Sequence, residues 1–182
     1  WKVLLLGIFA GMFIAFGASS SSLAIHAIEN PGVAKLIAGL IFPVGLMMIV
    51  FVGGELFTGD CMMLMGNLHK KYNALSMIRV LVLVYLSNLV GSVIIAALVY
   101  FSGQLDMSAG LLGAFTIKVA YGKAALPFSR ALFSGILCNI LVCAAVLMAG
   151  AAKDIAGKVF AILFPIMAFV IGGYEHCVAN MY

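Results

Sequence analysis

Charged side chains are scarce in this chain of 182 residues. They make up 9% of the residues, whereas 65% are hydrophobic and the mean hydropathy is +1.25. A soluble domain carries about a quarter of charged residues, so the composition excludes an ordinary soluble globule. A transmembrane helix needs about 20 largely apolar residues, and the chain is therefore long enough for about five or six crossings within one compact domain.

The sequence also has little that would support a nucleic-acid surface, a metal site or a disulfide framework. Its net charge of +4 is small and scattered, so we expect no nucleic-acid partner. The cysteines lie within or beside apolar runs and form no paired Cys-x-x-Cys motifs; they are Cys61, Cys138, Cys143 and Cys177. We expect buried free thiols, no zinc site and no cofactor.

Five apolar runs predict five membrane-spanning segments, at residues 3–27, 36–66, 80–101, 127–150 and 159–181. The long connection at residues 102–126 is too short and too apolar for a separate domain, and we expect it to fold back against the outer mouth. The chain opens on Trp1 and ends on Tyr182 beside apolar sequence. We therefore expect residues 1–182 to form a single transmembrane domain that lacks an amino-terminal tail and a final, sixth helix.

The distribution of positive charge predicts the orientation in the bilayer. With the amino terminus inside, the cytoplasmic side carries Lys2, Lys70, Lys71, Arg79, Lys153 and Lys158, and the outer side carries Lys35, Lys118, Lys123 and Arg130. Lysine and arginine favour the cytoplasmic side. We predict a multi-pass protein of the cell inner (plasma) membrane with a cytoplasmic amino terminus.

A faint internal repeat runs through the chain. Residues 7–13 match residues 135–141 in character, and each stretch is followed by an apolar run. Further on, Phe42-Pro43 leads to a Gly-Gly-Glu sequence, while Phe164-Pro165 leads to Gly-Gly-Tyr-Glu. The pattern predicts two three-helix halves inserted in opposite orientation.

The second apolar run is interrupted by three glycines and two carboxylates, at residues 53–60. A regular helix would expose Glu55 and Asp60 to hydrocarbon, whereas broken backbone and carboxylates are tolerated where they are buried in protein or face a cavity. We predict that the helix unwinds here and lines a pore. The alternative is that the span ends near Gly53 and that both carboxylates lie in an interfacial loop.

The fifth apolar run contains a similar interruption, Gly172-Gly173, followed by Tyr174, Glu175 and His176. Acidic and histidine side chains at this depth favour a water-accessible path. Histidine is also the side chain best suited to exchange a proton near neutral pH. The alternative is a histidine that is simply hydrogen-bonded in the core.

Three motifs together resemble the signatures of the formate/nitrite transporter family. They are Gly-Gly-Glu-Leu-Phe-Thr-Gly at residues 53–59, Gly-Ile-Leu-Cys-Asn-Ile-Leu-Val-Cys-Ala at residues 135–144, and Gly-Tyr-Glu-His-Cys-Val-Ala-Asn-Met at residues 173–181. Lys123 stands where that family places a basic residue at the pore mouth. The resemblance extends over nearly the whole chain.

The resemblance implies an all-α, aquaporin-like bundle with inverted three-helix repeats and broken second and fifth helices. It also implies a homo-pentamer in which each protomer holds its own channel for formate, nitrite or hydrosulfide in the lipid bilayer, rather than an enzyme. A water channel proper is disfavoured, because Asn30-Pro31-Gly32 is solitary and no pair of Asn-Pro-Ala boxes is present.

The resemblance further implies roles for individual residues. The apolar constrictions would be Phe42, Leu46, Phe57 and Phe169, although such stripes are often plain core. The central polar cluster would be Thr58, Asn139, Glu175 and His176, with Lys123 attracting anions. In the mechanism that we expect, His176 gives a proton to the anion and Glu175 orients the histidine or balances its charge. Thr58, on a mobile break, hydrogen-bonds the same histidine and lets pH decide between open and closed arrangements.

Two other functions fit parts of the pattern. A proton-coupled secondary transporter would use the same residues and differ only in kinetics and coupling. A membrane redox protein would need His26, His69 and His176 as ligands at matching depths, and this is disfavoured because His69 falls in the basic loop. Formate is the first choice of anion, followed by hydrosulfide and nitrite.

Overall fold

The computed structural model describes residues 1–182, and all of its regular structure is helical. The α-helices are α1 (Lys2–Ile25), α2 (Pro31–Ile41), α3 (Val44–Val52), α4 (Phe57–Asp60), α5 (Met63–Leu68), α6 (Ala74–Phe101), α7 (Leu111–Ala124), α8 (Phe128–Ala151) and α9 (Ile155–Gly172). Short 3₁₀ turns lie at Gln104–Asp106 and Ala179–Met181. Five segments are long and apolar enough to cross a membrane, with α2 and α3 together forming the second.

The second and fifth spans are broken, as predicted, and each helix ends at a glycine pair. Gly53 and Gly173 adopt left-handed backbone conformations, with φ values of 79° and 69°. A left-handed glycine is a common way to end a helix, because it lacks the Cβ that disfavours this conformation. The predicted runs 36–66 and 159–181 are therefore too long as continuous helices. We call residues 53–58, which run from Gly53 into the first turn of α4, the first break, and residues 173–178 the second break.

The first break offers a clean test of backbone strain. A Cβ added at Gly53 would meet no atom within 4 Å, so Gly53→Ala changes only the left-handed backbone conformation. We expect it to cost about 1–2 kcal/mol of stability. The apparent thermal midpoint of the purified protein in detergent measures this. Gly122→Ala is the matched control, because it too has open space but an ordinary φ; an equal loss in both variants would contradict the strain argument.

The prolines of the two halves differ in their effect on the helix that contains them. Pro43 separates α2 from α3, whereas Pro165 lies inside the continuous helix α9. At the interruption the chain lies against α1, where a Cβ on Gly17 would come within 2.8 Å of the carbonyl oxygen of Phe42. This close approach fixes the position of Phe42 beside the first span.

Helices α1 and α6 approach each other closely through small residues. A Cβ on Gly11 would lie 2.0 Å from the carbonyl oxygen of Asn88, and one on Gly91 would lie 2.0 Å from that of Ile8. Small residues permit such backbone contact between membrane helices. The amide of Asn88 and the hydroxyl of Ser92 also donate to carbonyl oxygens of α1. The pair forms a rigid platform next to the first break.

The connection at residues 102–126 packs against the carboxyl end of α1. The Ser19 hydroxyl donates to Gln104 Oε1 over 3.1 Å, and His26 Nε2 lies 2.8 Å from the Ser108 hydroxyl. Helix α7 follows and carries Lys123 in its last turn. The segment thus folds back onto the bundle, and its placement on the outer side stays a prediction.

Candidate functional site

The two breaks meet through a hydrogen bond between Thr58 and His176. Thr58 Oγ1 lies 3.1 Å from His176 Nε2, and both residues are buried, with 5% and 3% of their surface exposed. Thr58 lies at the end of the first break, in the short helix α4, and His176 lies within the second break. The predicted pairing of these two residues is therefore present at the centre of the bundle.

The second ring nitrogen of His176 defines the tautomer. The backbone N–H of Ala179 donates to Nδ1 over 3.1 Å. Because an N–H group can only donate, Nδ1 carries no proton in this arrangement. The neutral imidazole therefore holds its proton on Nε2, where it faces the hydroxyl of Thr58.

Aromatic side chains cover the imidazole. The ring of Phe169 stacks on it with centroids 5.8 Å apart, and Phe42 lies edge-on at 6.5 Å. Phe42 and Phe169 also contact each other, with their centroids 5.5 Å apart. Leu46 belongs to the same buried cluster and is 2% exposed. Three of the four predicted constriction residues thus share one buried cluster, and two of them, Phe42 and Phe169, lie beside the histidine.

The fourth, Phe57, faces another way. Its ring packs edge-on against Tyr85 of α6, with centroids 5.0 Å apart. Phe57 directly precedes Thr58, and consecutive side chains of a helical turn cannot face the same side. Since Thr58 faces His176, the ring of Phe57 is directed towards α6.

The Glu175 carboxylate contacts Lys123 and makes no hydrogen bond to His176. Its carboxylate forms an ion pair with Lys123 and accepts a hydrogen bond from Asn180 over 2.8 Å, while its backbone N–H donates to the Ser134 hydroxyl. In this conformation Glu175 therefore does not orient the histidine through a hydrogen bond, and the alternative, that it balances the charge of His176, stays a prediction. An ammonium group gives the carboxylate a charge-assisted bond that a neutral imidazole cannot match.

A cavity of about 500 Å³ leads towards this cluster. Its lining comes from α1, α7, Phe42 and the residues at and after the 3₁₀ turn Ala179–Met181, and includes Ser21, Thr116, Lys123 and Asn180. A second cavity of about 340 Å³ adjoins it and is lined by Lys118, Lys123 and Glu175. The Lys123 side chain is 37% exposed and its partner Glu175 is 13% exposed. The cation therefore stands at the entrance while His176 lies behind Phe42.

Asn139 lies on α8, one turn before Cys143, whose thiol is 3.6 Å from the carbonyl oxygen of Thr58. Residues four apart share a helix face, so Asn139 is on the side of α8 that meets the first break. Its Oδ1 atom is buried and has no hydrogen-bond partner. A buried polar atom of this kind is available to a polar guest in the site.

The three histidines do not converge. His26 bonds to Ser108 at the end of α1, and His69 caps the exposed end of α5. No group of three or more His, Cys, Asp or Glu residues that could hold a metal ion occurs in residues 1–182. The ligand set that the redox hypothesis required is not assembled.

Sequence reasoning missed the residues that support the site from neighbouring helices. Asn88 accepts from the N–H of Phe57 in the first break, and Ser134 accepts from that of Glu175 in the second. One signal was available for the first of them, because an asparagine in the middle of an apolar run needs a buried partner. Ser134 gave no such signal.

Comparison with known proteins identifies similar chains. The family model described as formate/nitrite transporter matches residues 1–182. The formate channel FocA of Haemophilus influenzae is 41% identical over 151 residues, which are 83% of this chain and 53% of that protein. A probable formate transporter of Methanothermobacter thermautotrophicus is 40% identical over 199 aligned residues, which cover 100% of this chain and 73% of that protein.

Solved structures of similar proteins have the same fold. A solved structure described as a pentameric formate channel with formate bound matches with a TM-score of 0.88 and 33% identity, over 99% of this chain and 71% of that one. A structure described as an FNT family ion channel matches with the same TM-score at 32% identity, also over 99% of this chain and 71% of that one. The chain thus spans about half to three quarters of the relatives named here.

Proposed function

Because this chain belongs to the formate/nitrite transporter family, we propose that it conducts small monovalent anions across a membrane, with formate as the first substrate. Members of this family are channels and transporters, not enzymes. Several relatives carry names that refer to formate. Hydrosulfide and nitrite are further candidate substrates.

The observation that carries the proposal is the hydrogen bond between Thr58 and His176. It joins two helix breaks inside an apolar bundle, where unwound backbone and ionisable groups are tolerated only if they are buried in protein or border a polar path. Phe42 and Phe169 cover the imidazole. We call the contact between these two rings the slit. Passage of an anion through the slit requires the rings to move, since His176 is 3% exposed.

The anion would cross the slit as a neutral acid. Transfer of a bare anion into an apolar slit costs several kcal/mol or more, even after relaxation and water entry. Protonation at His176 removes that charge. A weak acid such as formic acid, nitrous acid or hydrogen sulfide benefits from this step, whereas chloride does not.

The tautomer of His176 sets a condition on this step. A neutral imidazole cannot give up its only N–H proton, so transfer requires a second proton from water at Nδ1. The protonated Nδ1 then faces the backbone N–H of Ala179. Because two donors cannot bond to each other, the hydrogen bond from Ala179 to Nδ1 has to break. The imidazolium gives its Nε2 proton to the anion, which leaves as the acid, and proton exchange with water restores the observed tautomer. Proton transfer is thus coupled to movement of the second break.

The remaining expectations follow from the family. We propose a homo-pentamer of protomers that each contain a pore, as in the pentameric formate channel. We also propose that the protein lies in the cell inner membrane with its amino terminus in the cytoplasm. The five apolar segments provide the multi-pass anchorage in the bilayer.

Stopped-flow light scattering of proteoliposomes tests the substrate. Vesicles that contain the protein are mixed with formate, nitrite, hydrosulfide, chloride or gluconate salts at equal osmolarity. We expect formate to enter faster than chloride, and gluconate, which is too large, to enter at the rate of protein-free vesicles. Equal entry of formate and chloride would contradict the proposal.

A proton-coupled secondary transporter is the second candidate. The observation that favours it is the histidine at the meeting point of the breaks, since a residue that must be protonated in each cycle can couple anion and proton stoichiometrically. Saturable uptake would support this candidate, whereas one proton per anion is expected of both candidates, because in both the anion crosses as the neutral acid. Uptake that rises linearly with concentration would support the channel.

Removing the entrance cation tests its role. We expect Lys123→Met to lower formate entry at low formate concentration by about tenfold, because it removes a positive charge and leaves the carboxylate of Glu175 without its ion-pair partner. Charge at a mouth changes local anion concentration and entry rates by about ten to a thousandfold. The effect should shrink at high salt. Lys118→Met is the matched control, since Lys118 lines only the neighbouring cavity. Equal losses in both variants would assign the effect to overall charge.

A further inference from the structure

Asn88 is a buried polar residue that the mechanism above does not use. It lies within the third apolar span and is 0% exposed. Its amide nitrogen donates to the carbonyl oxygens of Gly7, over 2.8 Å, and Glu55, over 2.9 Å. Its amide oxygen accepts from the backbone N–H of Phe57 over 3.0 Å. Both donors and the acceptor of this side chain are occupied.

Two of these three bonds go to the first break. Where a helix is interrupted, the carbonyl and N–H groups around the interruption lose their partners in the helix, and at membrane depth water does not replace them. Asn88 satisfies one group on each side of Leu56. The N–H of Glu55 is bonded separately, to the carbonyl oxygen of Leu6 over 3.3 Å.

Asn88 is itself held in place by the packing of its helix. A Cβ on Gly11 would lie 2.0 Å from the carbonyl oxygen of Asn88, so the backbones of α1 and α6 touch at this residue. The side chain therefore reaches the first break from a fixed position. Thr58 directly follows Phe57, the residue that Asn88 holds.

On the basis of the proposed function, we propose that Asn88 is a positioning residue for the proton step. It ties the first break to the platform of α1 and α6 and thereby keeps the Thr58 hydroxyl within hydrogen-bond reach of His176. On this proposal Asn88 anchors the first break, for which the sequence had suggested mobility. Movement during transport is left to the second break and the aromatic rings.

The variants Asn88→Ala, Thr58→Val and their combination test this role. We expect Asn88→Ala to slow formate entry by about tenfold or more, since a misplacement of about 1 Å can cost about a hundredfold, and to change its pH profile. In the Thr58→Val background the same substitution should have little further effect on the profile. Additive effects, or an unchanged profile in Asn88→Ala, would overturn the proposal.

Ser87→Ala is the matched control. Ser87 is the neighbouring residue, is 4% exposed, and its hydroxyl donates only to Leu83 of its own helix. We expect the flux and pH profile of this variant to equal those of the wild type. If Ser87→Ala reproduces the Asn88→Ala profile, the effect comes from disturbed packing and the positioning role is wrong.

Amide hydrogen exchange of the unmodified protein provides a test that depends neither on the variants folding nor on formate transport. The N–H of Phe57 should exchange as slowly as the amides in the middle of α6, because Asn88 holds it. Exchange as fast as in the exposed loop at residues 69–73 would overturn the proposal. Slow exchange in a protein that does not carry formate would leave Asn88 as an anchor and refute only the proposed function.

Discussion

The variant His176→Gln should carry formate at least about tenfold more slowly than the wild type at acidic pH, and its rate should lose the pH dependence of the wild type. Positioned acid–base groups typically contribute about 10²–10⁴-fold to a proton-transfer step, and glutamine cannot take up or release a proton. In the wild type, entry should rise as the pH falls, because the imidazole must gain a second proton before it protonates the anion. The measurement is the rate of formate entry into proteoliposomes at several pH values.

His26→Gln is the control for this prediction, because it makes the same substitution at a histidine that bonds to Ser108 away from the breaks. Its rate and its pH dependence should match those of the wild type. An unchanged pH profile in His176→Gln would place the proton step elsewhere. A changed profile in both variants would indicate a general effect of histidine loss.

The second large effect is expected from Gly91→Ala, which adds a single methyl group. The new Cβ would lie 2.0 Å from the carbonyl oxygen of Ile8, so α1 and α6 would have to separate. Overpacking against rigid backbone costs about 3 kcal/mol, and we expect the apparent thermal midpoint to fall by about 6–12 °C. Because Asn88 lies on the same face of α6, formate entry should fall as well.

Gly150→Ala is the matched control, since an added Cβ there meets no atom within 4 Å. Alanine is the better helix former by about 0.8–1.0 kcal/mol, so this variant should be as stable as the wild type or slightly more stable. A Gly91→Ala protein with an unchanged midpoint would show that the two helices can move apart at no cost. The rigid platform proposed for Asn88 would then be lost.

The breaks could be predicted from the sequence because they combine features that a membrane-spanning helix excludes. Glu55 and His176 lie beside glycine pairs within long apolar runs, and such groups require shelter from lipid. The helix bounds were harder to predict. Hydropathy averaged over the length of a span hides these short interruptions, so the apolar runs extend past Gly53 and Gly173, whereas the left-handed conformation of each glycine ends its helix.

Side-chain contacts between separate segments of the chain could not be predicted in the same way. Glu175 and His176 are adjacent in sequence, which suggested a shared role, but the carboxylate pairs with Lys123 instead. That pairing depends on how the connection at residues 102–126 folds back, and hydropathy carries no information about it. The direction of Phe57, towards Tyr85, likewise depends on the twist of α4 after the break.

We propose that a weak-acid anion crosses between the two breaks together with a proton from His176. Its most direct test is to impose a formate gradient on proteoliposomes and record internal pH alongside formate entry. We predict that formate enters faster than into protein-free vesicles and that the lumen acidifies in step with it. Formate entry without acidification, or at the rate of protein-free vesicles, would contradict the account.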